Sequence, residues 1–569
     1  MRRNLPDHPQ LSFLRNEWYK PQMARLRIAL PFAMLVLGAA LLGAAFAQGE
    51  AGGAKPTIRN GGTFRITGFG ETGSMDPTVI DDATSFALLE ATCARLMTYP
   101  DKPPPQGYRL VPEVASGFPR VSRDGKTYIF TLRRSFRFSN GAPVRASAFA
   151  WAFTRILRLN ENIDAISLLQ EIVGADRVRE GKAQTVAGIT ARGNRLVIRL
   201  AQPAPAFPAR MTATWFCAVP PGLPADPEGV AAFPAAGPYY VAENVPGRRI
   251  VLRRNRFYRG SRPHHVDSLV AKGGANSFDE VLDRVERSTA DWGFAPPPLY
   301  FDPGRRLAAR YGVNRARFWV RPGLALDHFP LNVRRPLFRN NPRLRRAVNF
   351  AIDRSAIRRV LGGPISSRLT DQYLPPSLPG FRNARIYPLR RPNLQKARAL
   401  ARGHTRSGKV VLYTINVPPT LAAAQVVKRN LAQIGLEVEV KGIPPEAYYG
   451  RIVGNLDEPW DIARSTWLPD HLDPYTYLNL LFDGQFASGG NNLPHFDEPK
   501  YNRLLRRAAR LRGQARYRTY GALDVRLARE AAPSVPIFYG NEPTLVSARV
   551  DRRCIILRPA LLLNAVCLK

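Results

Sequence analysis

Beyond about residue 60, two-residue alternation and 3.6-residue periodicity follow one another along the chain, which predicts an α/β architecture. Residues 126–132 (KTYIFTL) alternate apolar and polar positions and predict a strand, as do 61–67 (GGTFRIT), 195–200 (RLVIRL) and 249–252 (RIVL). After Asn140-Gly141, the side chains of Phe149, Phe153, Ile156 and Leu157 fall on one helical face. Asn341 followed by Pro342 marks a helix start, a capping residue with proline in the first turn. That helix puts Leu344, Val348, Ala351 and Ile352 on one side. Another runs from near Thr420 with Val427, Leu431 and Ile434 inward and stops at Gly435. Residues 436–440 (LEVEV) alternate directly after it. Two late helices carry Tyr501, Leu504, Leu505 and Ala508, then Tyr517, Leu523 and Leu527. Strands around 535–539 and 561–563 close the chain. The proline-rich stretches 103–105, 220–221 and 296–298 read as loops, and no internal repeat is visible.

The N-terminal segment breaks this pattern. Arg25 and Arg27 precede an apolar stretch over 28–46, and Ala45-Phe46-Ala47 ends it with small residues around a cleavage point. This is the order of a secretory signal. Residues 1–47 are assigned to it, with Met23 as an alternative start. The stretch approaches the length of a membrane anchor, but its Ala/Gly-rich end favours cleavage after Ala47 and an exported chain from Gln48. No cysteine lies near the cleavage point, which argues against a lipid anchor, and no later segment is apolar enough to span a membrane. Export changes how the cysteines are read. Cys93, Cys217, Cys554 and Cys567 allow three pairings, or four free thiols. Because Cys554 and Cys567 flank a short terminal loop, 93–217 with 554–567 is the preferred pairing.

Length and charge narrow the function classes. The 569 residues allow three to four structural units, and 45% apolar residues exclude wholesale disorder. The formal net charge is +39, with 12 lysines and 71 arginines. Such an excess suits anionic partners: acidic ligands, nucleic acid or membrane headgroups. The arginines form no run of five or six, which argues against nucleic acid. A solvated, compositionally biased face is the plain alternative. No C-x-x-C, H-E-x-x-H, G-x-S-x-G or G-x-x-x-x-G-K-[ST] pattern occurs. Residues 68–73 (GFGETG) match G-x-G-x-x-G, but Ser74-Met75-Asp76-Pro77 follows as a turn, not as the helix a dinucleotide site needs. His264-His265 would face opposite sides of a strand and reads as a solvated loop pair. No nucleophile–base pair, metal site or cofactor site emerges, so the chain is not expected to be an enzyme.

Five blocks give a resemblance. GGTFRI with SMDP and Leu110-Val111-Pro112-Glu113-Val114-Ala115 form the first, and residues 122–156 (SRDGKTYIFTLRRSFRFSNGAPVRASAFAWAFTRI) the second. GPYY at 237–240 with RRIVLRRNRFY at 248–258 is the third. LNVRRPLFRNNPRLRRAVNFAIDRSAI at 331–357 with YLPPSLPG is the fourth. WDIARSTWLPDHLDPYTYL at 460–478 with VPIFY at 535–539 is the last. Together they resemble the extracellular solute-binding proteins, family 5, the peptide- and nickel-binding receptors of ABC importers.

The resemblance implies a fold like that of the type II periplasmic binding proteins: two α/β lobes joined by two crossing strands, with an extra subdomain in the larger. By analogy, 48–318 form the large lobe with its subdomain, 319–532 the inserted small lobe, and 533–569 the return to the large lobe. It places Asp470 where a carboxylate pairs with a ligand's α-ammonium group, Trp467 beside the bound peptide, and Arg464 near the pocket. Thr72 falls in a segment that pairs its backbone with the peptide. The alternatives are a helix or turn cap for Asp470, core packing for Trp467 and a structural ion pair for Arg464. The implied protein is a periplasmic, monomeric receptor for peptides or peptide-like solutes. It would meet ABC permease subunits, touch the membrane only through them, and bind no nucleic acid. Nickel complexes, haem or opines are alternative ligands, and a basic envelope scaffold or chaperone is an alternative role. The high positive charge is unusual for the family and suits acidic or phosphate-bearing peptides.

Overall fold

Each lobe is organised by its own sheet, and two long strands run between them. A computed structural model describes residues 57–569 except 70–73, 81–82, 105, 294–300, 454, 470, 489 and 559. The segment 1–47, Pro296–Pro298 and the end of the G-x-G-x-x-G match lie outside the described residues. In the large lobe, five strands lie in the order Trp292–Gly293, Thr63–Phe69, Ser268–Ala275, Arg249–Arg254, Tyr239–Val245. Thr63–Phe69 pairs in parallel with Ser268–Ala275, and the pairs beyond it are antiparallel. Alternation sends Phe64, Ile66, Ile250, Leu252 and Leu269 to one buried face. Leu88 and Leu89 of the helix Ala83–Thr92 pack on that face.

The extra subdomain is an antiparallel sheet ordered Arg120–Val121, Thr127–Thr131, Arg195–Arg199, Ile189–Arg192. The helix Ala146–Leu159 covers it with Phe149, Phe153, Ile156 and Leu157, all buried. In the small lobe a parallel sheet is ordered Glu437–Ile443, Lys409–Ile415, Ile462–Ala463. The helix Pro342–Ala351 begins as the sequence predicts, with the Asn341 side chain accepting from the Leu344 amide. The helix Pro418–Ala432 is followed by Gly435 at φ +80°, a conformation that glycine adopts without a Cβ clash.

The strands Phe318–Pro330 and Ser534–Leu545 are antiparallel, with Phe318 opposite Leu545 at one end and Pro330 opposite Ser534 at the other. Phe318 and Leu545 pack with Leu282, Val285 and Leu307 of the large lobe. Phe329 and Val535 pack with Leu412, Val427 and Leu431 of the small lobe. The register shifts between Pro322 and Leu326. There, a Cβ on Gly323 would stand 2.6 Å from the Gly540 carbonyl oxygen, so the close approach of the two strands requires glycine.

Two features depart from expectation. Residues 561–563 form no strand. Leu561, Leu562 and Leu563 are all buried, so the segment has no solvent face to alternate against. Its backbone groups go into tight turns, Arg558 N to Ala560 O and Leu562 N to Ile556 O, followed by a short 3₁₀ turn at Leu563–Ala565. Nor is the arginine excess all solvated. Arg155 pairs with Asp76 at 2.7 Å with both side chains fully buried. Arg95, Arg262 and Arg558 meet Glu90, Asp101 and Glu113 in a buried, charge-balanced cluster that ties the C-terminal segment to the large lobe. The disulfides are Cys93–Cys217 and Cys554–Cys567, as preferred from the sequence.

Candidate functional site

The last of the five blocks lies where the small lobe meets the paired long strands. Ser465–Trp467 adds to them as an edge strand, with Trp467 opposite Leu326, Thr466 opposite Asp327 and Ser465 opposite His328. This pairing brings Arg464 to Asp327. An Arg464 Nη2–H donates to Asp327 Oδ2, and the Thr466 hydroxyl donates to the same oxygen at 3.2 Å. Asp327 is buried, and burial pushes its carboxyl upward against the pull of Arg464. Asp327 Oδ1 and Arg464 Nε are buried without hydrogen-bond partners. Trp467 packs against the cluster of Leu326, Tyr477 and Leu481, and its Nε1–H has no partner.

Asp470 and Thr72 lie outside the described residues. The helix that follows Asp470, Pro474–Phe482, is capped by Asp473, whose side chain accepts from the Tyr475 amide. Asp473 also pairs with buried Arg516 at 2.7 Å. Beside it, His471 is buried with neither ring nitrogen hydrogen-bonded, and burial pushes it down to about 4, so the ring is neutral at neutral pH. The next residue, Leu472, meets Tyr99 of the large lobe.

Around this meeting point is a cavity of about 850 Å³. Tyr108, Tyr128 and Ala206 wall it on the large-lobe side, and Pro376, Leu472, Arg512 and Tyr517 on the small-lobe side. Its size and its mixture of aromatic rings with a few polar groups fit a small-molecule or peptide pocket. The Tyr108 hydroxyl is buried there without a partner. Outside the lining of this cavity, Glu542 on the strand Ser534–Leu545 has a partly buried carboxyl without an ion-pair partner among the described residues, and burial pushes it up to about 7. Among the described residues, no group of three or more His, Cys, Asp or Glu is arranged to hold a metal ion.

Sequence reasoning reached Arg464 and Trp467, and the structure brings both to the inter-lobe strands. It missed Tyr99, Tyr108, Arg512 and Glu542, which stand in unrelated segments. The nearest signal was that Tyr108 precedes the Leu110–Ala115 block and Glu542 follows VPIFY.

The bacterial extracellular solute-binding proteins, family 5 Middle, match over residues 109–489. The oligopeptide-binding protein OppA of Bacillus subtilis is 25% identical over 504 residues, covering 83% of this chain and 86% of that protein. The probable D,D-dipeptide-binding periplasmic protein DdpA of Escherichia coli is 24% identical over 450 residues, covering 76% and 80%. Among solved structures, the clavulanic acid biosynthesis oligopeptide binding protein 2 shares the fold with a TM-score of 0.79, at 23% identity, over 90% of this chain and 96% of that one.

Proposed function

The chain belongs to the bacterial extracellular solute-binding proteins, family 5, and from that premise we propose that it is the receptor of an ABC importer, taking peptides or peptide-like solutes between its lobes and delivering them to the permease. The observation that carries this reading is the cavity at the lobe boundary, walled from both lobes. A ligand that touches both walls stabilises the closed arrangement by its differential contacts, and closure presents a new surface to the permease. The names of the relatives, for oligopeptides and for a D,D-dipeptide, favour a peptide ligand.

In this reading Asp470 receives the ligand's α-ammonium group, Trp467 lies along the peptide, Thr72 offers backbone hydrogen bonds, and Arg464 braces the pocket from its place on Asp327. A buried carboxylate needs a cationic partner, which makes the site selective for free amines. The protein is a monomer exported by residues 1–47 to the periplasm. Its lobes divide at about 318/319 and 532/533, within and just before the two long strands, and it performs no catalysis.

Calorimetry on the wild type and on Asp470→Asn, each with a free and an N-acetylated peptide, tests it. The loss of countercharge should cost roughly 2–5 kcal/mol for the free peptide, about a 30-fold to several-thousand-fold rise in Kd. The acetylated peptide should bind the wild type weakly. Equal binding of both ligands to both proteins would remove Asp470 from the site, and binding of neither would count against the peptide reading.

A further inference from the structure

A second cavity, of about 530 Å³, adjoins the first. Pro205 and Ala206 of the large-lobe side line both, so the two form one groove along the lobe boundary. Facing that shared wall, the turn after the helix Pro499–Arg510 gives Arg510 to the second cavity and Arg512 to the first. This turn is held in place. The buried Arg516 guanidinium donates to the Ala509 carbonyl at 2.7 Å and to those of Ala508 and Leu511 at 3.3 and 3.4 Å, while it pairs with Asp473. Arg516 therefore satisfies the carbonyls at the end of that helix and pairs with Asp473, the one carboxylate among the described residues that line the first cavity.

What remains is an imbalance of charge. Arg510 and Arg512, with Arg109 and Arg179 on the opposite wall, line the groove with no carboxylate in ion-pair distance among the described residues. In the second cavity Glu171 is already paired with Arg210 at 2.9 Å, which leaves Asp176 as the unpaired carboxylate of the lining. A groove with four unpaired guanidinium groups against one carboxylate presents rigid, planar donors suited to carboxylate or phosphate oxygens.

We propose that this groove receives the anionic side chains of an extended ligand, so that Arg510 and Arg512 give the protein a preference for acidic peptides. The inference rests on the receptor reading and names its ligand class.

The test uses the full-length mature protein and three hexapeptides with free N-termini: one rich in Gln and Ser, one with Glu for Gln, and one with phosphoserine for Ser. Titration calorimetry at low and at high salt is run on the wild type, on Arg510→Gln/Arg512→Gln, and on Arg503→Gln as an exposed control outside the groove. The Glu peptide should bind the wild type at least about tenfold tighter than the neutral one, with the advantage shrinking at high salt. The double variant should lose that advantage, weakening the Glu peptide far more than the neutral one, whereas Arg503→Gln should keep the wild-type order. Tighter binding of the phosphoserine peptide than of the Glu peptide would identify phosphate as the preferred anion at the same arginines. Equal affinity of the wild type for neutral and acidic peptides, or equal weakening of both in the double variant, would overturn the inference and leave the receptor reading standing. If no peptide of any charge binds, the receptor reading fails and this inference fails with it.

Discussion

The hydroxyl of Tyr99, in the large lobe, accepts a hydrogen bond from the backbone amide of Leu472, in the small lobe, at 3.2 Å, and stands 3.5 Å from the carbonyl of the same residue. The two residues are 373 positions apart in the chain. Tyr99 is buried, so this is a water-poor link across the lobe boundary. Leu472 stands five residues after Trp467, so the link ties this part of the chain to the large lobe.

Removing the hydroxyl should therefore penalise the closed arrangement. In Tyr99→Phe the Leu472 amide has no partner when the lobes meet, and regains water when they part. The cost should be about 1–2 kcal/mol, which weakens ligand affinity by about 5- to 30-fold. Affinity by calorimetry and closure by small-angle scattering check this. Unchanged affinity together with unchanged ligand-induced compaction would show that the link carries no closure energy.

The pairing of Asp327 with Arg464 makes a different prediction. Arg464→Met leaves Asp327 buried and without its countercharge, which should cost about 3–5 kcal/mol of stability. Replacing both, as Asp327→Leu/Arg464→Met, removes the uncompensated charge and should recover most of that loss. Chemical denaturation reports the stability, and peptide titration reports the site. Stability recovered while affinity stays low would give Arg464 a role toward the ligand beyond its ion pair. Recovery of both would make it structural.

The disulfides differ in the chain they enclose. Cys93–Cys217 spans 124 residues and Cys554–Cys567 spans 13. On chain-entropy grounds, loss of the first should cost about 5 kcal/mol and loss of the second about 3. Paired Cys→Ala variants unfolded in denaturant should show that order. The reverse order would mean that native packing, not the closed loop, decides their value.

Local chemistry was readable from the sequence where the cause is local. The alternation at 126–132 becomes the strand Thr127–Thr131, and Asn341-Pro342 and Gly435 bound their helices as expected. Segments without a period were not readable. Trp292–Gly293 and Ile462–Ala463 are strands of two residues, too short to alternate, and Leu561–Leu563 is apolar throughout because every side of it is covered. The same limit applies to the site. Trp467 and Arg464 stand in a recognisable block. Tyr99, Tyr108, Arg512 and Glu542 acquire meaning only when distant segments are brought together by the paired long strands.

Glu542 gives the last prediction. It stands opposite Arg321 in the register of those strands, yet the two make no ion pair, and the Arg321 guanidinium lies over the Trp319 ring at 5.5 Å instead. A Cβ on Gly323 would be 2.9 Å from Glu542 Oε1, so the carboxyl is pressed against bare backbone. Burial pushes it up to about 7 from the usual value near 4.5. Between those two values the folded protein holds a proton that the unfolded chain has released. Stability from this group is therefore fully present below about pH 4.5, falls as pH rises towards 7, and levels off above it. Because the side chain is only partly buried, the fall should be about 1–3 kcal/mol rather than the full value of the shift. Glu542→Gln keeps the shape and cannot ionise. It should match the wild type near pH 4.5 and exceed it by that amount near pH 8. Urea denaturation of both proteins between pH 4.5 and 8 decides the matter. Parallel curves across the whole range would mean that the carboxyl is ionised throughout and finds its compensation in water.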